Sequence, residues 1–385
     1  MIRIINKEDC CGCSACISIC PKTAINFIQD SEGFNYPHVD VDKCVECGLC
    51  EKTCPIIQRK SIDKTVANPL QYKAVRIKEK KILSESSSGG AFSILADIIF
   101  DLNGCVCGVE YSEEGLPHHI IIDSKAELYK LRGSKYVQSN ILGIFPAIKQ
   151  RLLKGQYVLF SGTSCQVDGL KKYLRKDYAN LLTVDLVCHS IPSPLIYKEY
   201  LTYCSKKLKK EIVSIDMRYK KTYGWSHRYS YRYCFKDGKS VIDSPFVVNW
   251  GRLFFSEMIN RPSCGDCQYA NLNRVSDFTI ADFWDDDKKR IDIYSKEGTS
   301  LLLVNTEKGI NALESCQNNF YSWNITKEEA LQPCLCHTTK PSDKRDEFWD
   351  FYYKNGFENS YNRYFADTKY VILKKIIKKI IKWDV

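Results

Sequence analysis

The sequence predicts an α+β protein in two unequal parts, a small cysteine-bound N-terminal domain fused to a larger α/β domain. Two observations carry this. Cys10, Cys13, Cys16 and Cys20 precede Pro21, and Cys44, Cys47, Cys50 and Cys54 precede Pro55, at identical spacing. From Gln71 onward the pattern changes to strand-like and helix-like stretches in alternation, which is how α/β domains read.

Both cysteine runs follow C-x2-C-x2-C-x3-C-P, the spacing of bacterial two-cluster ferredoxins. An iron–sulfur cube needs four thiolates converging on one small volume. Short spacings let one loop wrap three corners, and the proline turns the chain away. In such ferredoxins the fourth cysteine of each run ligates the other cluster. Cys10, Cys13, Cys16 and Cys54 are therefore expected on one [4Fe-4S] cluster, and Cys44, Cys47, Cys50 and Cys20 on the other. Zinc sites more often use distant C-x2-C pairs or include histidine, and no histidine lies inside either run. Cys11 is a spare thiol, read as packing. Between the runs, 24–28 alternates as a strand, 30–33 is a turn and 34–39 returns, giving a hairpin. The expected domains are 1–60, a linker with a first strand over 61–84, a main domain over 85–340 and a helical extension over 341–385.

The chain has 385 residues, 44% of them hydrophobic and 26% charged, enough for two or three cores. Twenty cysteines in a small secreted chain would suggest disulfides. The N-terminal residues show no apolar signal core and no run is long enough to span a bilayer, so a cytoplasmic, metal-binding chain is expected. Much of the net charge of +10 sits in the C-terminal lysines. No nucleic-acid partner is therefore expected.

Ser87, Ser88, Gly89 and Gly90 enter an apolar helix over 91–100. Free N–H groups at a helix start suit an anion, and an ordinary N-cap turn fits the same residues. Residues 105–109 read as a buried strand. Arg132, Lys135 and Tyr136 flank Gly133 in a stretch that suits either a phosphate or a solvated loop.

A strand over 157–160, a tight loop over 161–165 and a helix from Gln166 place Cys165 at a strand-to-helix turn, where the dipole is expected to lower its pKa. A second buried strand, 182–187, ends on Cys188 and His189. Strands of an open α/β sheet aim their carboxyl ends at one crevice. With the C-x2-C knuckle of Cys264 and Cys267, these thiols suit a third four-thiolate site. Zinc and a Cys188–His189 pair are the competing readings, although neighbours on a strand point to opposite faces. Residues 275–284 alternate as a strand that brings Asp282 and Trp284 toward the same crevice. Aromatic residues over 219–233, with Trp225 and His227, suggest antiparallel strands and a substrate wall. Residues 371–383 pair Ile and Lys every four residues, a basic amphipathic helix suited either to the inner face of the membrane or to a protein surface.

These stretches resemble the family of beta subunits of coenzyme F420 hydrogenases and dehydrogenases, in the form fused to a two-cluster ferredoxin. The resemblance rests on 87–90, 133–139, 162–166, Cys188-His189 and 261–284. It implies a flavin-binding α/β domain, with FAD beside a third [4Fe-4S] cluster on Cys165, Cys188, Cys264 and Cys267. By the same resemblance Ser87, Ser88, Gly89, Gly90, Lys135, Tyr136 and Gln138 are flavin contacts. Ser190 and 281–285 depart from the family pattern beside the crevice, which leaves the substrate open.

The expected activity is an iron–sulfur flavoprotein oxidoreductase. Clusters move one electron at a time, and a flavin collects two for hydride chemistry on coenzyme F420 or another small-molecule substrate. Lys135, His189, His227 and Asp282 are the candidates for proton delivery. Some relatives suggest surface-polysaccharide assembly, by analogy only. The alternative is an electron-delivery subunit that serves an electron-carrier protein or a partner enzyme subunit and has no substrate site. A zinc-stabilised scaffold would be colourless.

Overall fold

The computed structural model describes residues 1–60, 68–225, 230–284, 290–316, 319–368 and 371–373. His227, most of the 61–70 linker and nearly all of the basic tail lie outside the described residues.

The two cysteine runs fold into the same loop twice. In each, the positions two and four residues after the first cysteine are left-handed: Gly12 and Ser14 (φ 71 and 64) and Glu46 and Gly48 (φ 51 and 68). Each run then enters a one-turn helix, Ala15–Ile19 or Leu49–Thr53. Between them β1 (Ile25–Gln29) and β2 (Asn35–Val39) pair antiparallel, the expected hairpin.

The larger α/β part is built on β3 (Gln71–Ile77), β4 (Cys105–Tyr111), β5 (Pro117–Ile122), β6 (Val158–Thr163), β7 (Leu181–Leu186), a small three-stranded sheet of β8 (Ile212–Asp216), β9 (Arg232–Phe235) and β10 (Ser240–Ile242), then β11 (Phe278–Asp282), β12 (Ser300–Val304) and β13 (Phe320–Asn324). The large sheet runs β13-β3-β12-β11-β7-β6-β4-β5. Its centre, β11-β7-β6-β4, is parallel, and its flanks are antiparallel. Central strands such as Leu181–Leu186 are buried on both faces because helices cover both, with Thr183 and Asp185 as buried polar residues on one of them. β3 inserts between β12 and β13. The stretch expected as linker and first strand is therefore part of the main sheet from Gln71.

Two boundaries differ from expectation. β6 continues to Thr163 and the next helix, Ser164–Leu174, begins at once, so no loop intervenes. A capping box explains the sharp turn: the Thr163 N–H donates to Gln166 Oε1 at 3.0 Å. The helix Arg345–Tyr364, interrupted at Gly356 (φ 73), is not an appendage. Its Phe348, Trp349, Phe357 and Tyr361 complete the core formed by the helix Pro194–Leu208 and the three-stranded sheet.

Candidate iron–sulfur and redox centre

The thiols of the N-terminal domain surround two separate hollows. One is lined by Cys10, Cys13, Cys16 and Cys54, and the other by Cys20, Cys44, Cys47 and Cys50. The fourth cysteine of each run thus reaches across to the other hollow, in the interlaced order that ferredoxin spacing implies. Backbone N–H groups already point at sulfur: Ile2 N donates to Cys50 Sγ and Ala24 N to Cys20 Sγ, both at 3.3 Å.

Among the described residues no three Cys, His, Asp or Glu side chains converge tightly enough to hold a single metal ion. A zinc ion draws sulfur to about 2.3 Å. Four thiols ringing a hollow suit a multi-atom cube better. Burial pushes the Cys16 thiol far up, aided by Cys10 and Cys54, and Cys54 is raised for the same first reason. Four thiolates crowded in one apolar place need positive charge beside them; a cationic iron–sulfur core would supply it as the thiols gave up their protons.

Cys165, Cys188, Cys264 and Cys267 also face one another. Cys188 is raised by burial and then by Cys264, Cys165 and Cys267; Cys264 is pushed up to about 12 by burial and then by Cys267. β6 and β7 lie side by side and parallel, so the residues just beyond them reach the same edge. The lowered Cys165 pKa expected from the helix dipole is not found. The Cys11 hydrogen bond and burial raise it instead, which makes it a poor free nucleophile. The Cys188–His189 pair is not formed either. His189 Nδ1 faces Cys334 Sγ at 3.8 Å and Thr339 Oγ1 at 3.4 Å, Nε2 faces Glu257 at 3.6 Å, and burial lowers its pKa.

Cys11 occupies a place its sequence did not reveal. Its thiol is within hydrogen-bond reach of both Cys13 and Cys165. It stands between the inner hollow of the N-terminal domain and the third thiol group. Cys47, by contrast, is exposed. The first of the three thiol groups thus reaches the surface, the second is buried, and the third is partly buried.

Part of the expected flavin and proton set is brought together around Arg218 and Asp282. Asp282, the last residue of β11, accepts from Arg218 Nη1 at 2.7 Å, and the same nitrogen is 3.3 Å from the Tyr136 hydroxyl. Ser87 Oγ accepts from Ser134 N at 2.8 Å. The Lys135 ammonium donates to Arg132 O at 3.0 Å and Gly133 O at 3.3 Å, and burial lowers it to about 8. Trp225 and Trp284 pack with ring centroids 4.8 Å apart. This set offers an aromatic face and cations, which fits an anionic molecule with a planar ring.

Four further expected contacts also have packing or hydrogen-bond roles of their own. Ser88 is buried and donates to Thr299 O at 2.7 Å. A Cβ on Gly89 would lie 2.3 Å from Val75 O and 2.4 Å from Ser300 N, so this glycine lets its turn press against the backbones of β3 and β12. Gly90 (φ 85) starts the helix Ala91–Asp101. Gln138 bonds Cys11 O at 3.4 Å and accepts from Arg261 at 3.2 Å, on the seam with the N-terminal domain. Arg218 was missed because its stretch carries no motif. Lys220 was missed too: buried, it donates to Leu83 O, Ser88 O and Glu297 O, and burial followed by Arg218 draws it down to about 8.

The family described as the C terminus of the coenzyme F420 hydrogenase/dehydrogenase beta subunit matches residues 155–328, and the 4Fe-4S dicluster domain matches residues 9–56. An uncharacterized protein of Methanocaldococcus jannaschii is 24% identical over 202 residues, 46% of this chain and 55% of that one. A subunit of the F(420)H(2) dehydrogenase of Methanosarcina mazei is 21% identical over 198 residues, 48% of this chain and 55% of that one. The chain thus spans about half the length of the curated relatives it matches. A chain of the F420-reducing [NiFe] hydrogenase complex of Methanosarcina barkeri aligns with a TM-score of 0.48 at 14% identity, over 78% of this chain and 93% of that one. Among the described residues no helix is long and apolar enough to cross a membrane.

Proposed function

From a chain that belongs to the family of coenzyme F420 hydrogenase/dehydrogenase beta subunits and carries a 4Fe-4S dicluster domain, we propose an iron–sulfur flavoprotein oxidoreductase that relays electrons inward from the surface to a flavin crevice. The observation that carries this reading is the succession of thiol groups, from exposed Cys47 through Cys10 and Cys11 to Cys165.

Cys20, Cys44, Cys47 and Cys50 hold the outer cluster, and Cys10, Cys13, Cys16 and Cys54 the middle one. Cys165, Cys188, Cys264 and Cys267 hold the inner one. Cys11 fills the gap between the last two and keeps water out. When bound, FAD supplies the junction between one-electron transfer and two-electron hydride chemistry. Tyr136 presents a ring to it, Ser87 and Ser134 offer hydroxyls, and Lys135 a cation. Asp282, held by Arg218, is positioned to carry a proton at Oδ1. The substrate proposed is coenzyme F420 or another small organic acceptor.

The test is to offer reduced F420 to anaerobically reconstituted protein. Bleaching of the cluster absorbance is expected. A protein that dithionite reduces but reduced F420 does not removes F420 from the reading, and one that releases no flavin on denaturation overturns the flavin. A second reading, an electron-delivery subunit, is favoured by the dehydrogenase-subunit relative. It predicts a stable partner in pull-downs that is lost when residues 371–385 are deleted.

A further inference from the structure

Arg261 is only 1% exposed, one of the largest side chains sealed inside the protein. Its nitrogens reach three neutral oxygens: Nε donates to Cys10 O at 2.7 Å, Nη1 to Gln138 Oε1 at 3.2 Å and Nη2 to Asn35 O at 2.9 Å. Tyr36 and Phe34 present ring faces at 4.5 and 5.3 Å. Among the described residues no carboxylate pairs with it. A buried charge left without a counter-charge costs several kcal/mol, so a fold that keeps this one must supply negative charge nearby. The ionisable groups facing it are Cys10, Tyr36, Cys11 and Cys264. Two of these belong to different thiol groups. The Arg261 carbonyl also accepts from Cys264 N at 3.0 Å.

We propose that Arg261 is a positioning residue shared by two redox sites, its guanidinium serving as common counter-ion to the clusters of Cys10, Cys13, Cys16 and Cys54 and of Cys165, Cys188, Cys264 and Cys267. A thiolate-bound cube gains one negative charge on taking up one electron. A fixed cation beside it favours the reduced form, more strongly where the dielectric is low. One arginine between two sites raises both potentials together. The electron that leaves the middle site for the inner one, supplied at the outer site by a one-electron carrier, then moves between centres whose potentials the same cation shifts in one direction. No proton moves with it, because the guanidinium does not titrate. The outer site of Cys20, Cys44, Cys47 and Cys50 lies beyond this cation's contacts and serves as internal control.

The inference rests on the iron–sulfur part of the proposed function and not on the flavin. It is tested by spectroscopically monitored redox titration of the full chain. Arg261→Gln is expected to lower two potentials so that each reduced-to-oxidised ratio falls about tenfold at fixed potential, about 59 mV for one electron. The third is expected to stay within about a factor of two, which is small on the same scale. Three unmoved potentials, or three moved equally, overturn the inference. Arg261→Lys keeps the charge and is expected to retain its iron and match the wild-type potentials. A drop in that variant overturns it independently, by making geometry rather than charge decisive. About eight irons in the unmodified chain, in place of about twelve for three cubes, would instead bring down the reading beneath it, an outcome seen in the iron count before any titration.

Discussion

Arg345 grips both carboxylate oxygens of Glu32 from 313 residues away in sequence, with Arg345 Nη1 to Glu32 Oε1 at 3.0 Å. Glu32 sits on the turn of the β1–β2 hairpin, and Arg345 opens the C-terminal helix. Around them the Ser193 hydroxyl donates to Glu32 O at 2.5 Å, and a Cβ on Gly33 would lie 2.2 Å from Leu195 Cβ. The C-terminal extension therefore locks the N-terminal domain in place. A nearly buried pair broken on one side costs about 3–5 kcal/mol. Arg345→Met is expected to lose about that much stability in denaturant unfolding, with faster hydrogen exchange over 30–34.

Lys135 gives the chain a pH signature. Its folded pKa of about 8 lies below the ordinary 10.5 because of burial. Between those values the unfolded chain binds the extra proton, so stability rises with pH across that window and is flat below it. Two carbonyl acceptors match the two N–H donors of the neutral amine. The residue is only half-buried although its ammonium is enclosed, so the gain is on the order of 1–2 kcal/mol. Lys135→Met is expected to remove this rise, read as the difference between wild-type and variant unfolding at pH about 8 and about 10.5.

Cys11 lies within hydrogen-bond reach of Cys13 and Cys165 and also lines the hollow of Cys10, Cys13, Cys16 and Cys54. Cys11→Ala is expected to keep the full iron content, at a stability cost of about 1 kcal/mol for the small cavity. Reduction of the inner site after flash reduction of the outer ones should slow severalfold. Loss of four irons would instead make Cys11 a ligand.

Arg218 and Asp282 are 5% and 14% exposed at their side chains. Arg218→Met removes the cation facing the crevice and the partner that holds Asp282. Flavin affinity is expected to fall about tenfold or more, 1.4 kcal/mol per decade, measured by fluorescence titration, with iron content unchanged.

The cysteine runs were legible in the sequence because ligand geometry dictates spacing. The interlaced order of Cys20 and Cys54 followed from the same rule, and the two thiol hollows match it. The parallel strands leading to Cys165 and Cys188 were legible because buried strands are rich in apolar residues. The residues that join the parts were not. Arg345, Glu32 and Arg59, which donates to Gln268 O and Asn273 O across the seam, look locally like solvated charges. Only tertiary packing removes their water. In the Ser88-Gly89 stretch the spacing suggests an anion site but does not reveal that Gly89 also presses against the backbones of β3 and β12.

The most direct test of the central claim is anaerobic purification followed by iron, sulfide and flavin quantification with an absorbance spectrum. Three cubes of four irons each feeding a flavin predict a brown protein with about twelve irons, as many sulfides and one FAD per chain. About eight irons with no flavin would contradict this and leave a dicluster electron carrier in its place.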